Sequence, residues 1–353
     1  MTESTASSAT PQPSPAPPPP PPPPERREPR RGSMWSRLAA TLITIILLAS
    51  IAANLYLFTI VKVLTGGGEA VYAEGDAKHR IAILAIEGGI NEGMHEFVHQ
   101  SLKILDRDPP KALVLRINSP GGGVGASDRI YHEIKAFKDE HAVPVVASFG
   151  SVAASGGYYV AMAADHIVAE PTCITGSIGV IGQVLTFEKL LKDKLGIEPE
   201  TFTATTSPDK DVANNLFRTW DERDEQVVTR IMDAAHARFV DVVVTGRAHV
   251  NAEAQIRDAS QGQVYTTDEA LATRLIDEQG YLEAAIMHAK TAAGIPTATD
   301  PQVTILRPGR SLTEMIGLRG QTAAAQQIDA QTIRTWLDEL SAPRVEYLFT
   351  GPR

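Results

Sequence analysis

The sequence predicts an α/β fold with a largely parallel sheet, preceded by one transmembrane helix. Two observations carry this. Between residues 79 and 290, short apolar runs alternate with helical stretches at the spacing of βαβ units. Upstream, Leu38–Val61 holds 24 residues without a charge, enough at 1.5 Å per residue to cross a bilayer core of about 30 Å. With 43% hydrophobic and 21% charged residues among 353, the chain is globular in composition. One cysteine, Cys173, excludes an intrachain disulfide and a cysteine-rich zinc site.

The amino end is read first. Twelve of the 24 prolines fall within residues 1–29, eight of them in the run Pro17–Pro24. Each ring fixes φ and removes a donor, so this tail predicts a disordered polyproline II spacer or a docking peptide, spanning 1–37. The apolar segment is longer than a signal-peptide core and sits behind that tail, which favours an anchor over a cleaved leader. Arg26, Arg27, Arg30, Arg31 and Arg37 lie before it and only Lys62 close after it. The positive-inside rule then puts the tail in the cytoplasm and the body outside, in a bacterium the periplasm. A transmembrane helix is expected over 38–64 and a linker over 65–78, with Gly66–Gly68 a flexible exit. Formal net charge is −9 although the first 37 residues carry five Arg against three Glu, so the body is acidic. It lacks the basic footprint of a nucleic-acid binder.

In the body, Arg80–Ile86, Ala112–Ile117, Val143–Phe149 and His166–Ala169 read as strands. Asn91–Leu105, Gly125–Lys138, Gly156–Ala164, Leu185–Leu195 and Glu222–Thr245 read as helices, with Ile130, Ile134 and Phe137 on one stripe. Gly196 and Gly246 stand where C-caps belong. After about Ala293 the patterning weakens. The domain is expected to span 79–293, and 294–353 is expected to be a loose extension with one helix at Asp329–Leu340.

Two loops follow strands and carry chemistry. Asn118-Ser119-Pro120-Gly121-Gly122-Gly123 is either a plain turn or a set of backbone N–H groups aimed into a cleft. It is no P-loop, because no Gly-Lys-Ser/Thr follows. In Ser151–Tyr159, Ser155 opens a helix, as a simple N-cap or as a nucleophile where the dipole favours negative charge. A base for it could be one of His132, His141, His166, His236 and His249, or a lysine kept neutral. Lys210, in Thr203–Asp211, is a candidate; a solvated loop lysine is the plainer reading. His95-Glu96-Phe97-Val98-His99 matches the zinc-protease helix signature, with Glu96 as base. Its context is poor, and a third ligand, Glu133 or His132, has no companion motif.

Together these segments resemble the signal peptide peptidase A family, the membrane-anchored serine–lysine proteases of bacteria. The resemblance covers about Arg80–Leu282. It lies in ILAIEGGI (Ile83–Ile90), RINSPGG (Arg116–Gly122), SFGSVAASGGYY (Ser148–Tyr159), AAD (Ala163–Asp165), TGSIGVI (Thr175–Ile181), FVDVVVTGR (Phe239–Arg247) and VYTTDEALATRLIDEQG (Val264–Gly280). It implies a crotonase-like fold shared with Clp protease, Ser155 as nucleophile, Lys210 as general base, and Gly122 and Gly156 as the oxyanion hole. Lys189, Lys192 and Lys194 compete for the base from a helix on the wrong side of the motif. Relatives usually carry Lys-Ser/Ala-Gly before the lysine, where Thr203–Thr206 and Pro208 stand here. No cofactor or metal is implied. Remnant signal peptides and exported polypeptides are the expected substrates, cleaved in a homo-oligomeric ring where neighbouring chains complete each site and residues after Ala293 line or plug the chamber. The alternatives are a catalytically silent membrane scaffold, a zinc protease through His95, Glu96 and His99, and an acyl-CoA enzyme, which export disfavours.

Overall fold

The computed structural model describes residues 34–65, 68–309 and 345–348. The proline-rich tail and the helix expected at Asp329–Leu340 lie outside them. Helix α1 (Met34–Thr65) contains the expected apolar segment. Its window Thr41–Phe58 has mean hydropathy 2.1 and none of it is buried, so it is long and apolar enough to cross a membrane.

The body runs β1 (Glu69–Ala73), β2 (Asp76–Glu87), α2 (Glu92–Arg107), β3 (Ala112–Ser119), β4 (Gly121–Gly123), α3 (Val124–His141), β5 (Val145–Ala154), α4 (Gly156–Ala161), β6 (His166–Ala169), β7 (Ile174–Gly176) and β8 (Ile181–Gly182). It continues with α5 (Glu222–Gly246), α6 (Glu253–Asp258), β9 (Val264–Thr266), α7 (Thr267–Ala272), β10 (Glu278–Gln279), α8 (Leu282–Ala292), β11 (Pro301–Leu306) and β12 (Val345–Leu348). The main sheet has nine strands, in order β1-β11-β2-β3-β5-β6-β10, with β7 on the far end of β5 and β9 on β7. All neighbours are parallel except β1 on β11 and β9 on β7.

Strand alternation builds two cores. Leu84 and Ile86 of β2, Leu113, Leu115 and Ile117 of β3 and Ala147 and Phe149 of β5 face α2–α5. Their neighbours Ile81, Ile83, Val114 and Val146 face Ala285 and Ala289 of α8. Strands buried on both faces read as continuous apolar runs, which is why they were legible. The stripe Ile130, Ile134 and Phe137 is buried in the first core. Asn91 caps α2, its Oδ1 accepting from Met94 N at 3.0 Å.

Three expectations are corrected. The sheet extends beyond the 79–293 span: β1 falls in the expected linker and β11 in the expected loose extension, where Val303–Leu306 are buried against β2. The helix expected over Leu185–Leu195 is shorter, running over 188–195 with π geometry at Leu190–Lys194, and nothing in it is buried. Gly196 does follow it with φ +64°. Gly246 is the last residue of α5 rather than a cap beyond it. It is small because a Cβ there would meet the Met162 backbone oxygen and Cβ at 3.0 Å.

Arg247 next to it is buried and forks onto Asp277, both nitrogens 2.7 Å from the two carboxylate oxygens. Asp277 also accepts from Ile167 N at 2.8 Å, which ties β6 to the β10 corner. Burial pushes the Asp277 carboxyl up, and the Arg247 hydrogen bonds and charge outweigh it, leaving the group below its ordinary value. A lowered carboxyl stabilises the fold above its unfolded pKa, and that contribution is lost as pH falls through the folded value. Arg247→Met should therefore cost about 3–5 kcal/mol at neutral pH, measured by thermal unfolding in detergent. The gap to the parent should shrink in acid, as pH falls below the ordinary aspartate range and through the lowered folded-state value of Asp277.

Candidate active site

The site forms at the carboxyl ends of β3 and β5, the usual place for function in an open parallel sheet. Strand β5 leaves β6 after Phe149 pairs Ala169, and takes β7 as partner from Val152 onward. Its register against β3 also slips between Phe149 and Ala153. The swerve is held below by Arg116, which donates to Ser148 Oγ at 3.0 Å and pairs with Glu170. Asn118 Oδ1 accepts from Val152 N at 3.2 Å.

Ser155 then sits between β5 and α4 with φ 52° and ψ −118°. That is a costly conformation for a residue with a Cβ, and such strain concentrates at functional turns. Its backbone is fixed by Ser155 N donating to Gly176 O at 2.8 Å and by Tyr159 N donating to Ser155 O at 2.9 Å. Its side chain makes no N-cap bond. Ser155 is 1% exposed, and its Oγ is buried without a hydrogen-bond partner among the described residues. An orphan buried hydroxyl costs about 1–3 kcal/mol, so a plain capping role is removed.

The glycine loop closes on it. Ile90 N donates to Gly121 O and Gly123 N donates to Ile90 O, both at 2.8 Å. An added Cβ on Gly122 would lie 2.0 Å from Ile90 O. An added Cβ on Gly156 would lie 2.5 Å from Ser127 Oγ, 3.2 Å from Gly122 N and 3.3 Å from Gly121 Cα. The two candidate oxyanion glycines thus stand against one another beside the serine. Ser127, which donates to Gly123 O at 3.0 Å, was missed in the sequence because a mid-helix serine carries no signal.

The candidate bases are not at Ser155 in this single chain, since no group hydrogen-bonds its Oγ. Lys210 is exposed on a turn, Pro208–Asp211. Its neighbours are engaged: Asp209 with Arg223 at 2.7 Å, and Asp211 with Arg218 at 3.2 Å. Arg218 also grips buried Asp224 at 2.5 and 2.7 Å, and that pairing holds the Asp224 carboxyl well below the usual range. Lys189, Lys192 and Lys194 lie on the exposed π turn or beside it. Among the histidines, His141 meets Asp106 at 2.9 Å, His236 meets Ser260 O at 2.8 Å, His249 meets Asp277 at 3.3 Å, and His132 is exposed.

The H-E-x-x-H segment lies on α2. His95 Nε2 is 3.0 Å from one oxygen of Glu133 and His99 Nδ1 is 3.2 Å from the other, which ties α2 to α3. Glu96 accepts instead from Gln100 at 2.7 Å. Two other groups bring three ligand atoms within 4.8 Å of one another: His166, Glu278 and His288, and Asp106, Glu140 and His141. His166 pairs Val146 at the start of β5, the end opposite Ser155. It stacks on His288 at 3.6 Å and 6°. Cys173 is buried and its thiol is pushed up to about 12 by that burial, so it is no nucleophile at neutral pH.

A strained serine at a strand-to-helix turn, beside a glycine loop at the sheet's carboxyl edge, is an arrangement compatible with serine hydrolysis on an α/β fold. Peptidase family S49 matches residues 137–296, and the NfeD1b N-terminal domain matches residues 80–186. The chain is 33% identical to a putative protease of Synechocystis sp. over 237 residues, 65% of this chain and 83% of that one. It is 30% identical to a putative signal peptide peptidase SppA of Enterococcus faecium, covering 70% and 74%. Against the chloroplastic serine protease SPPA of Arabidopsis thaliana it is 36% identical but spans 33% of that longer chain. A ClpP1 variant from Listeria monocytogenes superposes with a TM-score of 0.39 at 17% identity, over 58% of this chain and 94% of that one. The chain belongs to the signal peptide peptidase A family, peptidase family S49.

The glycine seam gives a prediction. Gly122→Ala should lower peptide turnover about 10²-fold or more, because the backbone must retreat from Ile90 and with it the N–H. Gly156→Ala should also lose activity. Adding Ser127→Ala removes the 2.5 Å contact and should recover part of it, as read by kcat on a fluorogenic peptide.

Proposed function

We propose that this chain is a membrane-anchored serine endopeptidase in which Ser155 attacks and Lys210 is the general base. The observation that supports this most is the Ser155 hydroxyl: buried, strained into place and unbonded beside two glycine amides. Ser155 Oγ adds to a peptide carbonyl as its proton passes to the neutral amine of Lys210. The oxyanion accepts hydrogen bonds from Gly122 and Gly156 N–H. The lysine returns the proton to the leaving amine, and water then hydrolyses the acyl-enzyme.

The base comes from a neighbouring copy in a homo-oligomer. In one chain Lys210 is solvent-facing and Ser155 is buried, which supports a second chain bringing them together. The segment carrying Lys210 also exposes Leu185, Leu190, Leu195, Ile197, Phe202 and Phe217, with Phe202 87% exposed. That much apolar surface in one stretch favours a protein interface. The apolar helix α1 and the arginines before it support a catalytic body held outside the cytoplasmic membrane. Remnant signal peptides and exported polypeptides are the substrates within reach there.

Ser155→Ala and Lys210→Ala should each cut hydrolysis of a signal-peptide substrate by about 10³-fold or more. Co-assembled, the two variants should regain roughly a quarter of parent activity, since some interfaces then join an intact serine to an intact lysine. No recovery would place both residues in one chain. Full activity in Lys210→Ala would remove the lysine and leave another base or a different mechanism. A parent chain that hydrolyses nothing and takes no serine-directed probe would favour the silent scaffold. The parent rate should rise toward alkaline pH, as a free-amine base requires.

A further inference from the structure

Strand alternation gathers three metal-binding side chains at the end of the sheet opposite Ser155. In β6, Ile167 and Ala169 face the first core, and Val168 faces α8 in the second. His166, two residues before Val168, shares its face. Glu278 of β10 pairs in register with Val168 and so stands on that face too. His288 reaches it from α8, which Ala285 and Ala289 seat on the sheet. One ligand atom from each of the three lies within 4.8 Å of the other two. His166 Nε2 is 3.4 Å from Glu278 Oε2. Tetrahedral zinc bonds of about 2.0–2.2 Å hold neighbouring donor atoms roughly 3.4 Å apart, so this spacing admits an ion between them. The other ring nitrogen, His166 Nδ1, faces Asp277 Oδ2 at 3.8 Å. Asp277 is itself held by Arg247 and by Ile167 N. A histidine that gives one nitrogen to a metal turns the other toward a carboxylate in this way.

We propose that His166, Glu278 and His288 form a binding site for a divalent transition-metal ion of the zinc class, which joins β6, β10 and α8. Two imidazoles and one carboxylate are a zinc donor set, whereas calcium and magnesium take oxygens. Water completes the fourth position. The His166 and His288 rings are parallel within 6°, with centroids 3.6 Å apart. An ion lies in the plane of each ring that binds it, so one ring must swing out of the stack on binding. His288 is half-buried and Glu278 exposed, so that swing moves no core residue. The other histidine groups lack this arrangement. Glu133 stands between His95 and His99, bonded to both. His141 is bonded to Asp106, and Asp106 and Glu140 are exposed. The ion acts on stability rather than on peptide hydrolysis, because His166 pairs with the start of β5 and Ser155 follows its end. The site does not depend on the roles given to Ser155 and Lys210.

The test uses the full chain in detergent, stripped with a chelator and dialysed against micromolar zinc chloride. Metal analysis should find about one zinc ion bound per chain. At free zinc about 100-fold above Kd, the thermal midpoint should rise by about 5 °C or more. His288→Gln and Glu278→Gln should each weaken zinc binding about tenfold or more and remove the rise. His99→Gln and His141→Gln should change neither. The Glu278 side chain is 46% exposed, so Glu278→Gln keeps the fold even where His288→Gln does not, and then decides the case alone. Zinc binding undiminished in Glu278→Gln would place the ion elsewhere and overturn the proposal. A parent chain that takes up no zinc at micromolar concentration would overturn it as well. Loss of binding in His99→Gln, with Glu278→Gln unaffected, would move the ion to α2 and overturn it too.

Discussion

The structure depends on one crowded seam where three backbones meet without side chains between them. Gly122 lies against the carbonyl of Ile90, Gly156 against Gly121 and Gly122, and a Cβ on Gly157 would lie 2.9 Å from Ser119 O. This seam joins the end of β2, the loop after β3 and the turn after β5. Strand β5 must abandon β6 and bulge against β3 to reach it. The positive φ of Ser155 is the consequence, because a strand leaving the sheet and a helix starting at once need a reversed backbone between them. The glycines are therefore a packing requirement first. The proposed mechanism asks a second thing of them, an N–H from Gly122 and from Gly156 for the oxyanion.

How much of this the sequence made visible follows from the same physics. Strands buried on both faces and helices with an apolar stripe announce themselves locally, and β2, β3, β5, β6, α2 and α3 were readable for that reason. The runs of small residues around Ser155 and Gly122 stood out because the seam admits no Cβ at Gly122 or Gly156 without a clash. Strand β11 was not readable. Its six residues follow a proline-containing loop and resemble an isolated apolar patch until β1 and β2 are placed on either side. Leu185–Leu195 was readable as a helix from the spacing of its leucines, but among the described residues none of them is buried. Periodicity reports a buried face and does not say whose surface buries it.

That last point bears on assembly. Within one chain the buried serine and the exposed lysine are two unfinished halves. The segment holding the lysine is tied down where Arg218 binds Asp211 and Asp224, Arg223 binds Asp209 at 2.7 Å, and the Asp224 carboxylate accepts from Ala213 N at 2.7 Å. Past that clamp it presents apolar side chains to solvent. In the proposed assembly this is the arm that would meet a neighbouring copy. The Arg247–Asp277 pair does the corresponding work at the other side of the sheet, fixing the β6–β10 corner within the chain.

The charges around Lys210 bear on the same proposal. Asp209 and Asp211 flank it, and each faces an arginine, Arg223 and Arg218. A turn whose carboxylates are already paired can be covered by another protein surface without burying two unpaired anions, a far smaller cost than the unpaired case. That is the electrostatic condition an interface at this turn has to meet, and the proposed sharing of Lys210 between copies depends on it.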